Sequence, residues 1–389
     1  MTAPKPHALD GLDDRLRALG EQHAWPAYRG RQVRQGLFGR RAADWQAMTD
    51  LPQSMRQTLD AELTLWSARI LRHDRAEDGA EKLLLHLEQG GEIECVLLRG
   101  HSGSRTLCLS TQVGCAMGCV FCASGLDGVE RNLTTGEIVE QILRLQLLLG
   151  PDERISHIVV MGMGEPLANL DRLLPALDEV HRDDGLGISQ RRITISTVGL
   201  PEAIDRLAHH PANYRLAISL HAPNDALRNE LVPINRRVGL RDILAAADRY
   251  FAASGRRLTY EYVLLADVND RPEHARELAT LLADREALLN VIPYNAVAEL
   301  PYRTPSLDRQ QKFRAILEAR GVHVRFRHRK GDQIDAACGQ LRRAYRQTSD
   351  TSRQTSDTSR QTSDTSRRTS DTSRRTSDTS RRTSDPAPS

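Results

Sequence analysis

The sequence contains few aromatic residues and no long apolar run, and both absences limit what the protein can be. Phe, Trp and Tyr make up 4% of its 389 residues. The longest apolar stretch is interrupted by Arg144 and Gln146, so no segment is long enough to cross a bilayer as a helix. The N-terminal segment MTAPKPHALDGLDDRL lacks the basic and then apolar pattern of a signal peptide. We therefore expect a cytoplasmic protein that does not contact a membrane.

The sequence also lacks a strong charge imbalance. The net charge is +3, so a polyanion contact has to come from a local patch. One such patch is PAYRGRQVRQGLFGRR, which contains Tyr28, Phe38 and no acidic residue. Its five arginines are Arg29, Arg31, Arg34, Arg40 and Arg41. The patch predicts either a phosphate-contacting face with stacking groups or an ordinary solvated helix face.

Residues 347–389 contain almost nothing that a core can bury. They form a seven-residue repeat, TSDTSR followed by Gln or Arg, in which Ala387 is the only residue of the hydrophobic class. A coiled coil needs apolar a and d positions, so the period of seven predicts a disordered tail instead. We expect three parts: an N-terminal α+β accessory domain over 1–95, a main domain over 96–346, and the tail.

Short apolar or β-branched runs alternate with longer helical stretches between about residues 105 and 328. Thr134 and Glu137 open one of these helices with capping-box spacing. Repeated βα units predict a parallel sheet, either open or closed into a full or partial barrel, with ligands at the C-terminal strand ends. Upstream, ARILRHD and EKLLLHLEQGGEIECVLLRG are predicted strands, with Gly90 and Gly91 as a hairpin turn.

Three cysteines follow directly after the first of these repeated strands. Cys115, Cys119 and Cys122 have the spacing Cys-x3-Cys-x2-Cys, and Phe121 precedes the last one. Six cysteines in a cytosolic protein are more often metal-bound or catalytic than disulfide-bonded. Structural zinc sites use four ligands, and no second cysteine pair lies near this one. Three thiolates on a [4Fe–4S] cluster would leave one iron open for another ligand.

This spacing resembles the signature of the radical S-adenosylmethionine (SAM) enzymes. The resemblance implies a partial (βα)6 barrel and a [4Fe–4S] cluster on Cys115, Cys119 and Cys122, whose open iron chelates SAM. The segment MGMGEP resembles the SAM-binding turn of that class, with Gly164 allowing close backbone approach and Glu165 holding the SAM ammonium.

Further motifs between Ala24 and Leu341 closely resemble the dual-specificity RNA adenine methyltransferases of the RlmN/Cfr family. They include CLSTQVGCAMGCVFC, TISTVGLP, AISLHAPND, LVPINRR, IPYN and GDQIDAACGQL. The additional SAM contacts implied by these motifs are Ser196, Ser219, Leu220, His221 and Asn295. The 1–95 region would then be an RNA-binding accessory domain and the 96–346 region the catalytic domain.

The resemblance implies a mechanism that uses two further cysteines. Cys338 takes a methyl group from one SAM, and the radical from a second SAM removes a hydrogen from that S-methyl group. The resulting methylene radical adds to C2 or C8 of an adenine and ties the enzyme covalently to the RNA. Glu94 is implied as the base that removes the ring proton, with Glu92 as the alternative. Cys108 is implied as the thiol that attacks the Cys338 sulfur, forms a disulfide and releases the methylated RNA.

The implied activity is formation of 2-methyladenosine in 23S rRNA, near the peptidyl-transferase centre, and in tRNA, 3′ to the anticodon. An electron donor such as a flavodoxin system would reduce the cluster, and we expect a monomer. One alternative is a Cfr-type enzyme that methylates adenine C8 and confers antibiotic resistance. An alternative of another class is a non-catalytic RNA-binding protein with a structural zinc.

Overall fold

The structure is a computed structural model that describes residues 5–100, 103–296, 300–327 and 334. The helices are α1 Leu12–Gln22, α2 Tyr28–Arg34, α3 Gln53–Glu62, α4 Thr135–Gln146, α5 Leu170–His181, α6 Pro201–Ala208, α7 Asp225–Leu231, α8 Leu240–Ser254, α9 Pro272–Leu282 and α10 Leu307–Glu318. The strands are β1 Ala68–Arg75, β2 Glu81–Leu87, β3 Glu92–Arg99, β4 Arg105–Cys108, β5 Gln112–Gly114, β6 Val129–Asn132, β7 His157–Val160, β8 Ile193–Thr197, β9 Arg215–Ser219, β10 Leu258–Leu264, β11 Ala287–Pro293 and β12 Val324–Phe326. The repeat tail and Cys338 lie outside the described residues.

Ten of the described strands form one sheet in the order β1-β2-β3-β4-β7-β8-β9-β10-β11-β12. The seven strands from β4 to β12 in this order are parallel, and helices cross over between them, which gives six βα units. This arrangement confirms the predicted α/β class with a central parallel sheet. The antiparallel strands β1, β2 and β3 extend the sheet from the β4 edge. Gly90 and Gly91, both with positive φ, form the turn between β2 and β3.

The parallel strands divide their side chains between an apolar outer face and a polar inner face. Alternate residues of each strand pack under the helices and are buried, among them Ile158, Val160, Ile193, Ile195, Leu216, Ile218, Tyr260, Tyr262, Leu289 and Val291. The intervening residues point to the other face because strand side chains alternate. They include Cys108, Ser196, Ser219, Glu261 and Asn290. Polar groups are therefore concentrated on the inner face of the sheet.

Helix α4 starts with the predicted capping box. The Thr134 side chain accepts a hydrogen bond from the Glu137 amide, and the Glu137 side chain accepts one from the Thr134 amide. These bonds satisfy donors that a helix leaves unpaired at its first turn. The prediction from the spacing of these two residues is confirmed.

The N-terminal basic patch was expected to be either a phosphate-contacting face or a solvated helix face, and two of its residues fit neither expectation. Arg34 is buried and forms ion pairs with Asp13, Glu179 and Asp184, which fasten α1 and α2 to the end of α5. Phe38 is also buried and packs against Arg34. These two side chains stabilise the fold and cannot contact RNA. The prediction was wrong for them because their partners lie far away in the sequence.

The other residues of the patch have either structural or exposed positions. Arg41 donates to the backbone carbonyls of Leu149 and Gly150, so it also has a structural role. Tyr28 is 45% exposed, and the Arg29 guanidinium lies over its ring at 4.9 Å. The surface available to a polyanion is therefore smaller than the sequence suggested.

In the described part of the chain, no helix is long and apolar enough to cross a membrane.

Candidate active site

The three cysteines of the triplet lie in a loop that is closed at its base by the short hairpin β5–β6. Val113 pairs with Arg131, and the Cys115 amide donates to the Gly128 carbonyl at 2.8 Å. Gly114 has φ +78°, and a β-carbon there would collide with the Gly128 carbonyl oxygen. Only glycine fits this position. The hairpin holds the cysteine loop beyond the C-terminal end of β4, the edge at which parallel sheets bind ligands.

A small apolar cluster packs against the cysteine loop. It is formed by Met117, Val198, Ala222, Leu231, Val232, Leu265 and Tyr294, and Cys115 and Cys119 pack against it. The Val120 amide donates to the Leu231 carbonyl at 3.1 Å, which joins the loop to α7. Phe121 meets the His221 ring edge-on, with centroids 4.8 Å apart. The aromatic residue of the motif therefore connects the cysteine loop to the end of β9.

The thiols suit a positively charged partner. Burial raises the pKa of Cys115 to about 12 and raises that of Cys119 as well, so a nearby cation is needed to favour their thiolates. Within the described residues, no group of three His, Cys, Asp or Glu side chains converges on one metal ion. An iron–sulfur cluster takes thiolates as ligands, each on a different iron. Three cysteine thiols on one loop are a donor set that fits such a cluster.

The turn after β7 brings the backbone close to β5. Gly164 has φ +98°, and a β-carbon there would lie 2.6 Å from the side chain of Gln112. The neighbouring carboxylate, that of Glu165, is buried and accepts from the amides of Leu167 and Val198 at 3.0 and 2.9 Å. Burial raises the pKa of Glu165, and these hydrogen bonds oppose the rise. A carboxylate has about four acceptor positions, so an ammonium group can still bind.

Ser196 and Ser219 lie side by side at the ends of β8 and β9, with their hydroxyl oxygens 3.4 Å apart. Leu220 follows and is fully buried. His221 adopts φ +62°, and burial lowers its pKa to about 3, so its imidazole is neutral at physiological pH. Its Nδ1 accepts from the Val263 amide at 3.1 Å, which leaves the ring proton on Nε2. The structure brings these four residues together with Glu165 and the cysteine loop.

Arg228 of α7 is a residue that the sequence interpretation missed. It is fully buried and donates to the carbonyls of Val198, Ser219 and Leu220 at 2.6, 2.9 and 3.0 Å. Burial lowers its pKa to about 10, so it stays charged at neutral pH. Its side chain therefore fixes the strand ends that carry the candidate SAM contacts. In the sequence, Arg228 is one basic residue within AISLHAPNDALRNE, and its position looks like an exposed position of a helix.

Replacing Arg228 by Met should destabilise the protein by roughly 3–5 kcal/mol, because three buried carbonyls lose their donor. Arg241, also in the helical part between β9 and β10, is 92% exposed and offers a matched control. Arg241→Met should change the free energy of unfolding by less than about 0.5 kcal/mol. Urea unfolding of the two variants measures both values. Equal stabilities would contradict the structural role of Arg228.

Glu94 and Cys108 lie on the same face of neighbouring strands. Val96 of β3 pairs with Cys108 of β4, and Glu94 is two residues before Val96, about 7 Å along the strand toward the cysteine loop. Glu92 is about 13 Å along the same direction and pairs with His86 at 3.8 Å. The register therefore favours Glu94 over Glu92 as the neighbour of Cys108. Cys95 points into the apolar core and is a packed strand residue.

Glu261 and Asn290 extend the polar inner face beyond the predicted residues. Glu261 pairs with Ser219, and its Oε1 accepts from the Asn290 side chain at 3.0 Å. Glu261 Oε2 and Asn295 Oδ1 are buried and have no hydrogen-bond partner among the described residues. Such buried acceptors suit a polar ligand on this face. The available signal for Glu261 was an acidic residue within the apolar strand LTYEYVLL.

No disulfide joins any two of the five cysteines that the structure describes, Cys108 among them. The expected disulfide partner of Cys108 is Cys338, which lies outside the described residues. The predicted pairing therefore stays a prediction.

Comparison with known proteins agrees with this geometry. Residues 109–279 match the model of the Radical SAM superfamily. The chain is 59% identical to the probable dual-specificity RNA methyltransferase RlmN of Rhodopirellula baltica, over 87% of this chain and 91% of that protein. The chain belongs to the RlmN family of radical SAM RNA methyltransferases. A second RlmN relative, from Symbiobacterium thermophilum, is 46% identical over 86% of this chain and 90% of its own length.

A solved structure supports the same assignment. The radical SAM methyltransferase from Sphaerobacter thermophilus is 41% identical, with a TM-score of 0.81, over 87% of this chain and 99% of that chain. The superfamily match starts at residue 109. Glu94 and Cys108 therefore lie just outside the part that this RlmN-family chain shares with radical SAM enzymes in general.

Proposed function

We propose that this RlmN-family protein converts adenosine to 2-methyladenosine in 23S rRNA and in tRNA. The proposal rests on the relatives' name, dual-specificity RNA methyltransferase, and on the motifs shared with the family. Adenine C2 is electron-poor and does not attack the sulfonium methyl of SAM. A radical route with a methyl-carrying cysteine overcomes this difficulty.

Cys115, Cys119 and Cys122 would hold a [4Fe–4S] cluster, and Gly164, Glu165, Ser196, Ser219, Leu220, His221 and Asn295 would hold SAM. When bound, the cluster and SAM supply the radical chemistry, with an external reductant such as a flavodoxin system. The Glu165 carboxylate would accept from the SAM ammonium while its backbone partners fix its orientation. His221 would donate from Nε2, because its Nδ1 is already an acceptor.

The remaining residues would act on the methyl group and the RNA. Cys338 would carry the methyl group, Glu94 would take the ring proton, and Cys108 would attack the Cys338 sulfur. The single observation that best supports this is the β3–β4 register, in which Glu94 and Cys108 are neighbours on the inner face. A base and a resolving thiol have to reach the same adduct, and this register allows it.

The test is nucleoside mass spectrometry of a 23S rRNA fragment and of tRNA after reaction with the reduced enzyme. We expect 2-methyladenosine in both RNAs and no methylated adenosine with Cys338→Ala as the control. Methylation at C8 would contradict the proposal and indicate the Cfr-type activity instead. Zinc without iron or sulfide after anaerobic purification, together with unmodified RNA, would favour the non-catalytic RNA-binding alternative.

A further inference from the structure

Lys82 is a fully buried lysine on β2, on the inner face of the sheet. Its backbone pairs with Val96, the same residue that pairs with Cys108 on the opposite side. Lysine is almost never fully buried unless a partner compensates its charge. Lys82 Nζ lies 3.9 Å from Glu94 Oε1, and the two side chains are 0% and 3% exposed. Lys82 and Glu94 therefore form an ion pair inside the protein.

Charged and titratable groups of the described neighbouring elements lie as follows around this pair. From β4, Cys108 faces the pair. On the opposite face of β3, Glu140 and Arg144 of α4 bind each other at 2.9 Å. Strand β5, which also packs near β3, contributes Gln112, Val113 and Gly114, none of which is charged. Lys82 is thus a cation that the fold places beside the Glu94 carboxylate.

We propose that Lys82 is a positioning residue that keeps Glu94 ionised and oriented toward the RNA adduct. This inference rests on the proposed role of Glu94 as the base. A buried carboxylate without a positive neighbour takes up a proton at a higher pH, and a protonated carboxyl cannot act as a base. In this proposal, Lys82 acts through Glu94. The ring proton passes to Glu94, and the C–H electron pair stays with the adduct.

The experiment compares Lys82→Met, which removes the charge, with Lys82→Arg, which keeps it. Single-turnover methylation is measured from pH 5.5 to 8.5 with the cluster-loaded enzyme. For Lys82→Met, we expect the acid limb of the rate profile to move up by about one pH unit or more, which is about tenfold in rate at a pH on that limb. Covalent RNA adduct should accumulate, since proton removal becomes slow. Lys82→Arg should keep the wild-type limb.

Steps that precede proton removal provide the internal control. Cluster absorbance, SAM binding and methylation of Cys338 should stay within about twofold of wild type in Lys82→Met, because none of them needs an ionised Glu94. If Lys82→Met does not fold, Lys82→Gln carries the same expectation, since it keeps a hydrogen-bond donor without the charge. The inference is overturned if a folded variant without the Lys82 charge keeps the wild-type acid limb and accumulates no adduct.

A second variant separates this inference from the proposed function. Glu94→Gln should lose methylation and accumulate adduct, as expected of a missing base. If Glu94→Gln methylates RNA at the wild-type rate, Glu94 is not the base, and the proposed function loses that residue. If Glu94→Gln fails and Lys82→Met behaves as wild type, only the role of Lys82 is wrong.

Discussion

Replacing Cys108 by Ala should leave the enzyme covalently attached to its RNA. In the proposed mechanism, Cys338 loads its methyl group and the adduct forms without help from Cys108. Release requires a thiol that attacks the Cys338 sulfur, and the half-buried Cys108 is the candidate for that attack. We expect released 2-methyladenosine to fall by at least about a hundredfold, with nuclease-sensitive, slow-migrating protein on a denaturing gel.

Two controls make this result specific. Cys338→Ala should bind SAM and keep its cluster but show no shifted band, because no carbon is loaded. The double variant Cys108→Ala with Cys338→Ala should also show no shifted band. Release of methylated RNA at the normal rate by Cys108→Ala would mean that Cys108 is an ordinary strand residue.

Replacing Cys115, Cys119 or Cys122 by Ala should abolish cluster binding and all methylation. Each thiolate is expected to bind a different iron, so the loss of one leaves a second iron without a protein ligand. Iron and sulfide content, the brown absorbance and 5′-deoxyadenosine production measure this result. We expect all three to fall to background in each variant.

Cys95→Ala is the matched control for these variants. Cys95 is buried in the core, so its truncation should cost about 1 kcal/mol of stability and leave iron content unchanged. Near-stoichiometric iron and normal 5′-deoxyadenosine production in a Cys115, Cys119 or Cys122 variant would reject the cluster assignment.

The regular part of the fold could be predicted because its signals are local. Short apolar or β-branched runs between longer helical stretches indicated the parallel strands, and Thr134 with Glu137 indicated the start of α4. Ser219 and His221 were implied as SAM contacts by the family motif AISLHAPND, and both lie at a strand end, where parallel strands share one ligand-binding edge. The structure brings them together as this geometry requires.

The parts that sequence patterns missed depend on distant partners. The hairpin β5–β6 consists of two very short strands separated by the cysteine loop, so neither has a recognisable pattern alone. Lys82, Arg228 and Glu261 look like surface charges in the sequence, although all three are buried. Arg34 was expected on a phosphate-contacting or a solvated face, yet it is buried and its partner Glu179 lies 145 residues away. Burial of a charge is decided by tertiary contacts and leaves no periodic signal.

The attachment of β3 to β4 also has a consequence for how the protein can be shortened. In the described sheet, β4 has β7 on one side and β3 on the other. A fragment that starts at β4 would turn it into an edge strand, whose unpaired amides and carbonyls can pair with another chain. Such a fragment should aggregate, even though it would contain the whole superfamily match. Strands β1, β2 and β3 thus cover the β4 edge, and β3 also carries Glu94, the proposed base.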